Sequence, residues 1–171
     1  MTKQAIMTQI YLIRHGIAVE RNEDIKDETR PLTDKGRQKT TEIGQKLGEM
    51  GVKFDIILSS PLVRAWETAE ILQKAKLSEK ISEFAPLAPG GSLQAWVNWW
   101  LNSCYNKDEH SLALVGHQPD LGEWAELLIW GSSRDKITVK KAGIIGLTLP
   151  QTVTPIGQGE LFLLTSPKWL L

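Results

Sequence analysis

Two kinds of apolar pattern alternate along the chain: short unbroken runs of strand length, and longer stretches in which apolar residues recur every three or four positions. The first run, Ile10 to Ile13 with Met7 opening it, continues straight into Arg14, His15 and Gly16 and reads as a buried strand ending in a turn. Ile17 to Arg30 is polar and acidic, the composition of a loop that can fold back as a rim or lid. Thr33 is placed to cap a helix carrying Ile43, Leu47 and Met50, closed by Gly51. Phe54 to Ser60 predicts a second strand. Ser60 then stands as N-cap with Pro61 in the first helical position, so Arg64 falls one turn into a helix packed through Ala65, Trp66, Ala69, Ile71 and Leu72.

Leu77 to Phe84 predicts a short third extended segment, and Ser92 caps a helix reaching about Tyr105. Leu93, Trp96, Val97, Trp100 and Leu101 share one face of that helix, from which Trp99 departs. Ser111 to Val115 is a further strand that delivers Gly116 and His117. Gln118-Pro119 then opens a helix packed through Leu121, Trp124, Leu127 and Leu128, with Gly131 as its stop. Gly143 to Leu149 and Glu160 to Thr165 close the chain as extended runs joined by a hairpin-type loop over Pro150 to Gly159. Strands alternating with helices predict an α/β three-layer sandwich, a mostly parallel central sheet with helices on both faces.

Composition narrows this picture in a few places. A chain of 171 residues without repeats or linkers predicts a single domain over 1–171, with 1–6 a loose tail. Lys plus Arg and Asp plus Glu are 20 each, so no bulk basic field favours nucleic acid or an anionic membrane, and neither is expected as a partner. An anion must be caught by a local cluster instead. The single cysteine, Cys104, excludes an internal disulfide and reads as a small buried or half-buried helix residue. With no signal-peptide pattern and no run of about 18 apolar residues, the expected location is cytoplasmic. The seven tryptophans fall mostly at helical spacing and read as core; nothing indicates an oligomeric state.

The chemistry gathers at three strand ends: Arg14 with His15, Arg64 beyond Ser59-Ser60, and His117. In an open α/β sheet such positions line the ligand crevice, and a helix N-terminus beside Arg64 adds an anion site. Phosphoryl transfer spreads negative charge over non-bridging oxygens, which two permanently charged guanidinium forks can grip. A neutral histidine is a competent covalent nucleophile, and a second one, if protonated, is a further donor. Spacing alone does not say which histidine has which role. The usual metal-ligand spacings are absent, so neither metal nor cofactor is expected. A dinucleotide site fails for want of Gly-x-Gly-x-x-Gly after the first strand.

Arg14-His15-Gly16, the string Ser59-Ser60-Pro61-Leu62-Val63-Arg64-Ala65-Trp66-Glu67-Thr68-Ala69, and Gly116-His117 resemble, in order, the motifs of the histidine phosphatase superfamily, the phosphoglycerate-mutase-like proteins. The resemblance implies a phosphoglycerate-mutase-like fold, a phosphorylated intermediate on His15, and a phosphate pocket completed by Arg14, Arg64 and His117. Arg14-His15-Gly16-Ile17-Ala18, Arg30-Pro31-Leu32-Thr33 with Gly36, and His117-Gln118-Pro119 resemble most the short SixA-type phosphohistidine phosphatases. The pattern of mutases and sugar phosphatases, Asn six places after the nucleophile and Gly-Gly after the second histidine, is not met: Arg21 and Gln118-Pro119 stand there.

The expected substrate is therefore a phosphohistidine domain of a signalling protein. A small phosphorylated metabolite is the alternative, and a phosphoprotein-binding module without turnover is disfavoured because nucleophile and both arginines are present. In order along the chain, Glu83 is the nearest match to the family's general acid, although a solvated strand-end residue reads equally well there. An Asp or Glu of the Ile17–Glu28 loop fits too. Arg30 either reaches the pocket rim from just before its helix or ties its loop to an acidic neighbour, the second being favoured, and His110, among Lys107, Asp108 and Glu109, reads as solvent-exposed.

Overall fold

The computed structural model describes residues 6–151 and 154–171. The expected tail over 1–6 lies, but for Ile6, outside the described residues, as do positions 152 and 153 of the Pro150–Gly159 connection. In chain order the elements are β1 (Met7–Arg14), α1 (Asp34–Glu49), β2 (Ile56–Ser59), α2 (Val63–Lys74), β3 (Ile81–Glu83), α3 (Leu93–Asn102), β4 (Ser111–Gly116), α4 (Asp120–Trp130), β5 (Ile144–Pro150), β6 (Glu160–Thr165) and α5 (Pro167–Leu170).

The strands form one sheet in the order β3-β2-β4-β1-β5-β6. β1, β2, β3 and β4 pair in parallel, whereas β5 lies antiparallel to both β1 and β6. The strand period of two divides the core. Ile10 and Leu12 point to the face covered by α3 and α4, together with Leu58, Leu112, Leu114 and Leu147. Tyr11 and Ile13 point to the face covered by α1 and α2, with Ile57, Ala113, Val115 and Ile144. Strands buried on both faces explain why they read as continuous apolar runs. Each of the Leu, Ile and Val side chains among them, once buried, contributes about 1.5–3 kcal/mol.

Several boundaries differ from expectation, each for a local reason. Thr33 does cap α1, its Oγ1 accepting the Gly36 N–H at 2.9 Å. In contrast, α2 starts at Val63 rather than Pro61, so Arg64 is its second residue. The α3 helix stops at Asn102, because the Ser103 hydroxyl donates to the Trp100 carbonyl and accepts the Tyr105 N–H. Cys104 consequently sits in a short 3-10 turn and is exposed, not buried in a helix. The third strand is confined to Ile81–Glu83, preceded by a Ser78 turn whose hydroxyl accepts the Lys80 N–H. His110 is half-buried against Tyr105 and lies 3.2 Å from Asp55, rather than free in solvent.

Helix α1 seats very close to the chain leaving β1. A Cβ at Gly36 would stand 2.0 Å from the Ile17 carbonyl oxygen, so only glycine fits that approach. Thr33 N–H donates to the same carbonyl.

Candidate active site

The parallel register lets three strands finish level. Arg14 pairs with Gly116 and Ser59 with Val115, so the residues following β1, β2 and β4 emerge at one edge. This is the crevice position expected of a parallel sheet.

His15 is 6% exposed and held by two ring contacts. Its Nδ1 lies 2.7 Å from the Gly16 carbonyl oxygen, and its Nε2 lies 3.3 Å from Nε of Arg64. A carbonyl can only accept and a guanidinium N–H can only donate. Together they require the tautomer with hydrogen on Nδ1 and a lone pair on Nε2. Burial is the main cause that pushes the ring's pKa down to about 3. His117, Arg64 and Arg14 add to it, against the opposing Gly16 hydrogen bond. The ring is therefore neutral at physiological pH. Its backbone is fastened as well: the Gly16 N–H donates to Thr68 Oγ1 at 3.0 Å, and that hydroxyl donates to the Arg64 carbonyl.

His117 faces His15 with ring centroids 5.1 Å apart, tilted by 56°. Its Nε2 is 2.8 Å from Ser60 Oγ. Ser60 Oγ also accepts the Leu62 N–H at 3.3 Å, which leaves the hydroxyl proton free for the imidazole. The serine expected as a helix cap is thus turned to the second histidine instead. Burial, followed by the charge of Arg64, lowers the His117 pKa to about 4, so this ring too is neutral in the unliganded site.

The two guanidiniums are held differently. Arg14 donates from Nη1 to the Val139 carbonyl at 3.1 Å, while its buried Nε has no partner among the described residues. Buried Arg64 gives Nη1 to the Asp27 carbonyl (2.8 Å) and Nη2 to the Asp27 carboxylate (3.3 Å). That carboxylate also holds Arg30 at 2.8 Å and Arg21 at 3.1 Å. Burial alone would raise the Asp27 pKa. The Arg30 hydrogen bond and the charges of Arg64, Arg30 and Arg21 outweigh it and keep the group below the ordinary carboxylate range. Arg30 makes the expected tie to an acidic neighbour, donates to the Val19 carbonyl at 2.7 Å and also lines the pocket.

The resulting cleft, ≈ 400 Å³, is bounded by Arg14, His15, Arg64 and His117, with Arg30 and Lys141 at its margin. Four of the five residues singled out from the sequence are brought together. Glu83 is not: it is exposed at the end of edge strand β3 and does not line the cleft. The carboxylate that does line it, Asp120, accepts the Gly90 N–H at 2.8 Å. Among the described residues, no group of three or more His, Cys, Asp or Glu is placed to hold a metal ion. What the arrangement offers is a bare imidazole nitrogen among cations, which suits a phosphoryl group.

One wall comes from a segment in which no chemistry was expected. Ala142 N–H donates to the carbonyls of Arg14 and His15, both at 3.1 Å. Farther back, the buried Glu126 carboxylate accepts the N–H groups of Arg134, Lys136 and Ile137. Burial raises the pKa of this acid, but those hydrogen bonds win and hold it low. A buried acid enclosed by successive N–H groups is a signal that only the folded chain displays.

Known proteins resemble this chain in sequence and in fold. Residues 10–85 match the histidine phosphatase superfamily (branch 1). An uncharacterized protein of Picosynechococcus sp. is 48% identical over 164 residues, covering 95% of this chain and 99% of that protein. The mitochondrial serine/threonine-protein phosphatase Pgam5 of Drosophila mojavensis is 39% identical over 95 residues, 51% of this chain but 32% of that protein. The solved structure of the protein histidine phosphatase SixA complexed with tungstate shares the fold, with a TM-score of 0.82 at 23% identity over 95% of this chain and 99% of that one.

Proposed function

This chain belongs to the histidine phosphatase superfamily (branch 1), and we propose that it is a phosphatase acting through a covalent phosphoryl group on His15, with phosphohistidine on a protein as its substrate. One observation carries the reading. The contacts on His15 leave Nε2 unprotonated and directed at the buried Arg64 guanidinium, in a ring that stays neutral down to about pH 3.

A phosphoryl group entering the cleft takes the Arg64 and Arg14 donors, and Nε2 exchanges its hydrogen bond for attack on phosphorus. The Nε2–P bond forms as the P–N bond to the substrate's imidazole breaks. That imidazole, protonated on its other nitrogen, leaves neutral with the electron pair. Water then attacks phosphorus, the Nε2–P pair returns to the ring, and the water proton leaves on inorganic phosphate. The dianionic substrate opposes the influences that keep His117 neutral, and a protonated His117 adds a donor to the transition-state oxygens.

The carboxylates favour the phosphoramidate. Expelling an alkoxide needs a proton donor, whereas imidazole has a conjugate acid of pKa about 6.5 and leaves readily. Asp27 is held deprotonated by its arginines, Asp120 is engaged by Gly90, and Glu83 stands outside the cleft. The fold shared with a protein histidine phosphatase supports this choice; the likeness to a serine/threonine-protein phosphatase supports a protein-borne phosphate more generally.

The test offers a phosphohistidine-bearing domain, a phosphoserine peptide and a panel of sugar phosphates, with EDTA throughout, to wild type and His15→Ala. Turnover should be fastest on the phosphohistidine domain and fall by at least about 10³-fold in the variant, as expected on losing a covalent nucleophile. Mass spectrometry after a rapid quench should find the phosphoryl group on His15. Preferred hydrolysis of sugar phosphates moves the substrate to small metabolites, and binding without phosphate release makes the protein a recognition module.

A further inference from the structure

A second pocket, also ≈ 400 Å³, adjoins the phosphate cleft and shares Arg14 and Lys141 with it. Ile17, Ala142 and Pro167 contribute apolar surface; Lys39, Lys140 and Lys141 stand around them. Lys140 and Lys141 are exposed, and among the described residues neither has an acidic partner within ion-pair distance. Lys39 pairs, among the described residues, only with Glu42, at 3.8 Å. In a chain of zero net charge, this is a local excess of cation beside a site already carrying arginines.

The backbone that carries Lys140 and Lys141 is also tied to that of the nucleophile. The segment bearing Lys140 and Lys141 is anchored behind by Glu126 and in front by Ala142 N–H on the Arg14 and His15 carbonyls. Ala142 has φ +56°, a left-handed conformation that a non-glycine residue keeps only when its surroundings impose it. The Lys140–Ala142 wall of the pocket is therefore held against the strand end that carries the attacking nitrogen. A phosphorylated metabolite that fills the cleft leaves this pocket empty; a phosphorylated protein has chain to place in it.

We infer that this lysine-rimmed apolar pocket is a docking subsite for the polypeptide next to the phosphorylated residue, accepting an apolar side chain flanked by carboxylates. The inference rests on the reading of the chain as a phosphoprotein phosphatase. The apolar floor provides burial for one side chain, and the ammonium groups select acidic neighbours and speed encounter at low salt.

The experiment uses phosphohistidine and phosphoserine peptides, each with a Leu-Asp-Glu or a Gly-Lys-Lys flank, beside p-nitrophenyl phosphate as a probe without a polypeptide flank. Wild type should favour the acidic-apolar flank by about tenfold in kcat/KM, with the preference shrinking as ionic strength rises. Lys39→Glu/Lys140→Glu should bring the ratio within about twofold of unity and leave p-nitrophenyl phosphate turnover unchanged, with Lys39→Ala/Lys140→Ala intermediate. A wild-type ratio near one, an equal loss on p-nitrophenyl phosphate, or turnover of p-nitrophenyl phosphate alone overturns the subsite. So does cosedimentation with phosphatidylglycerol vesicles that the double variant abolishes, if no flank preference accompanies it; the pocket then serves a lipid surface. Preference for phosphoserine with the flank effect intact overturns only the phosphohistidine assignment, and no turnover of any substrate overturns both.

Discussion

At the scale of single residues, Ser60 illustrates how one hydroxyl can serve two candidate ends. Before proline it has the makings of a helix cap, but its oxygen lies 2.8 Å from His117 and α2 begins three residues later without a side-chain cap. Ser60→Ala should lower kcat about tenfold with little change in KM, since it leaves the phosphate grip intact but unseats the second imidazole. Ser60→Thr should restore much of the loss, and steady-state kinetics on the phosphohistidine domain would show both. Arg14, His15, Arg64 and His117 were legible because each follows a strand signal that places it. Asp27 was not: it is one of several acids in a loop, where no periodicity says which carboxylate turns inward. Glu83 was suggested by order along the chain, yet a three-residue edge strand leaves its side chain exposed.

At the scale of elements, two loops shape the site, and each hangs on one acid. Asp27 holds the Ile17–Arg30 loop to Arg64, Arg30 and Arg21 and occupies donors that a phosphate would use. Asp27→Asn should weaken that hold, lower the inhibition constant for inorganic phosphate several-fold and expose the loop to limited proteolysis. Glu126 does the corresponding work for the 131–143 segment. Glu126→Gln keeps the shape but loses the charge that three N–H groups converge on. It should lower the urea midpoint and weaken the flank preference more than p-nitrophenyl phosphate turnover. That segment also relies on close packing, since a Cβ at Gly122 would lie 2.0 Å from the Ile137 carbonyl oxygen. The strands and the Thr33, Ser92 and Gly131 helix ends could be read locally; the end of α3 could not, because Ser103 diverts the chain with side-chain hydrogen bonds that compete with the helix.

Considered as a whole molecule, the chain keeps two histidines neutral at acidic pH values where water would protonate them. Both have folded pKa values below the ordinary 6.5, about 3 and about 4, so the unfolded chain binds more protons than the folded one once the pH drops below 6.5. Stability therefore falls as pH drops through 6.5 toward the folded values of about 4 and about 3, with a slope of up to two protons. Urea midpoints measured across that window should show it, and His15→Gln should remove about half of the slope. The mostly parallel sheet followed from the alternation of patterns, but β5 has the same apolar run as its neighbours and nothing local reveals that it points the other way.

That reversal has a consequence for how the molecule can vary. Ile144 pairs with Ile13 and Pro150 with Met7, so the chain entering β5, not the chain leaving it, arrives beside the nucleophile. Insertions between β5 and β6 would accumulate at the remote end of the sheet with no effect on chemistry. Adding or deleting even one residue between Gly131 and Gly143 would redraw the mouth, which makes that stretch the natural place for relatives to diverge in what they accept.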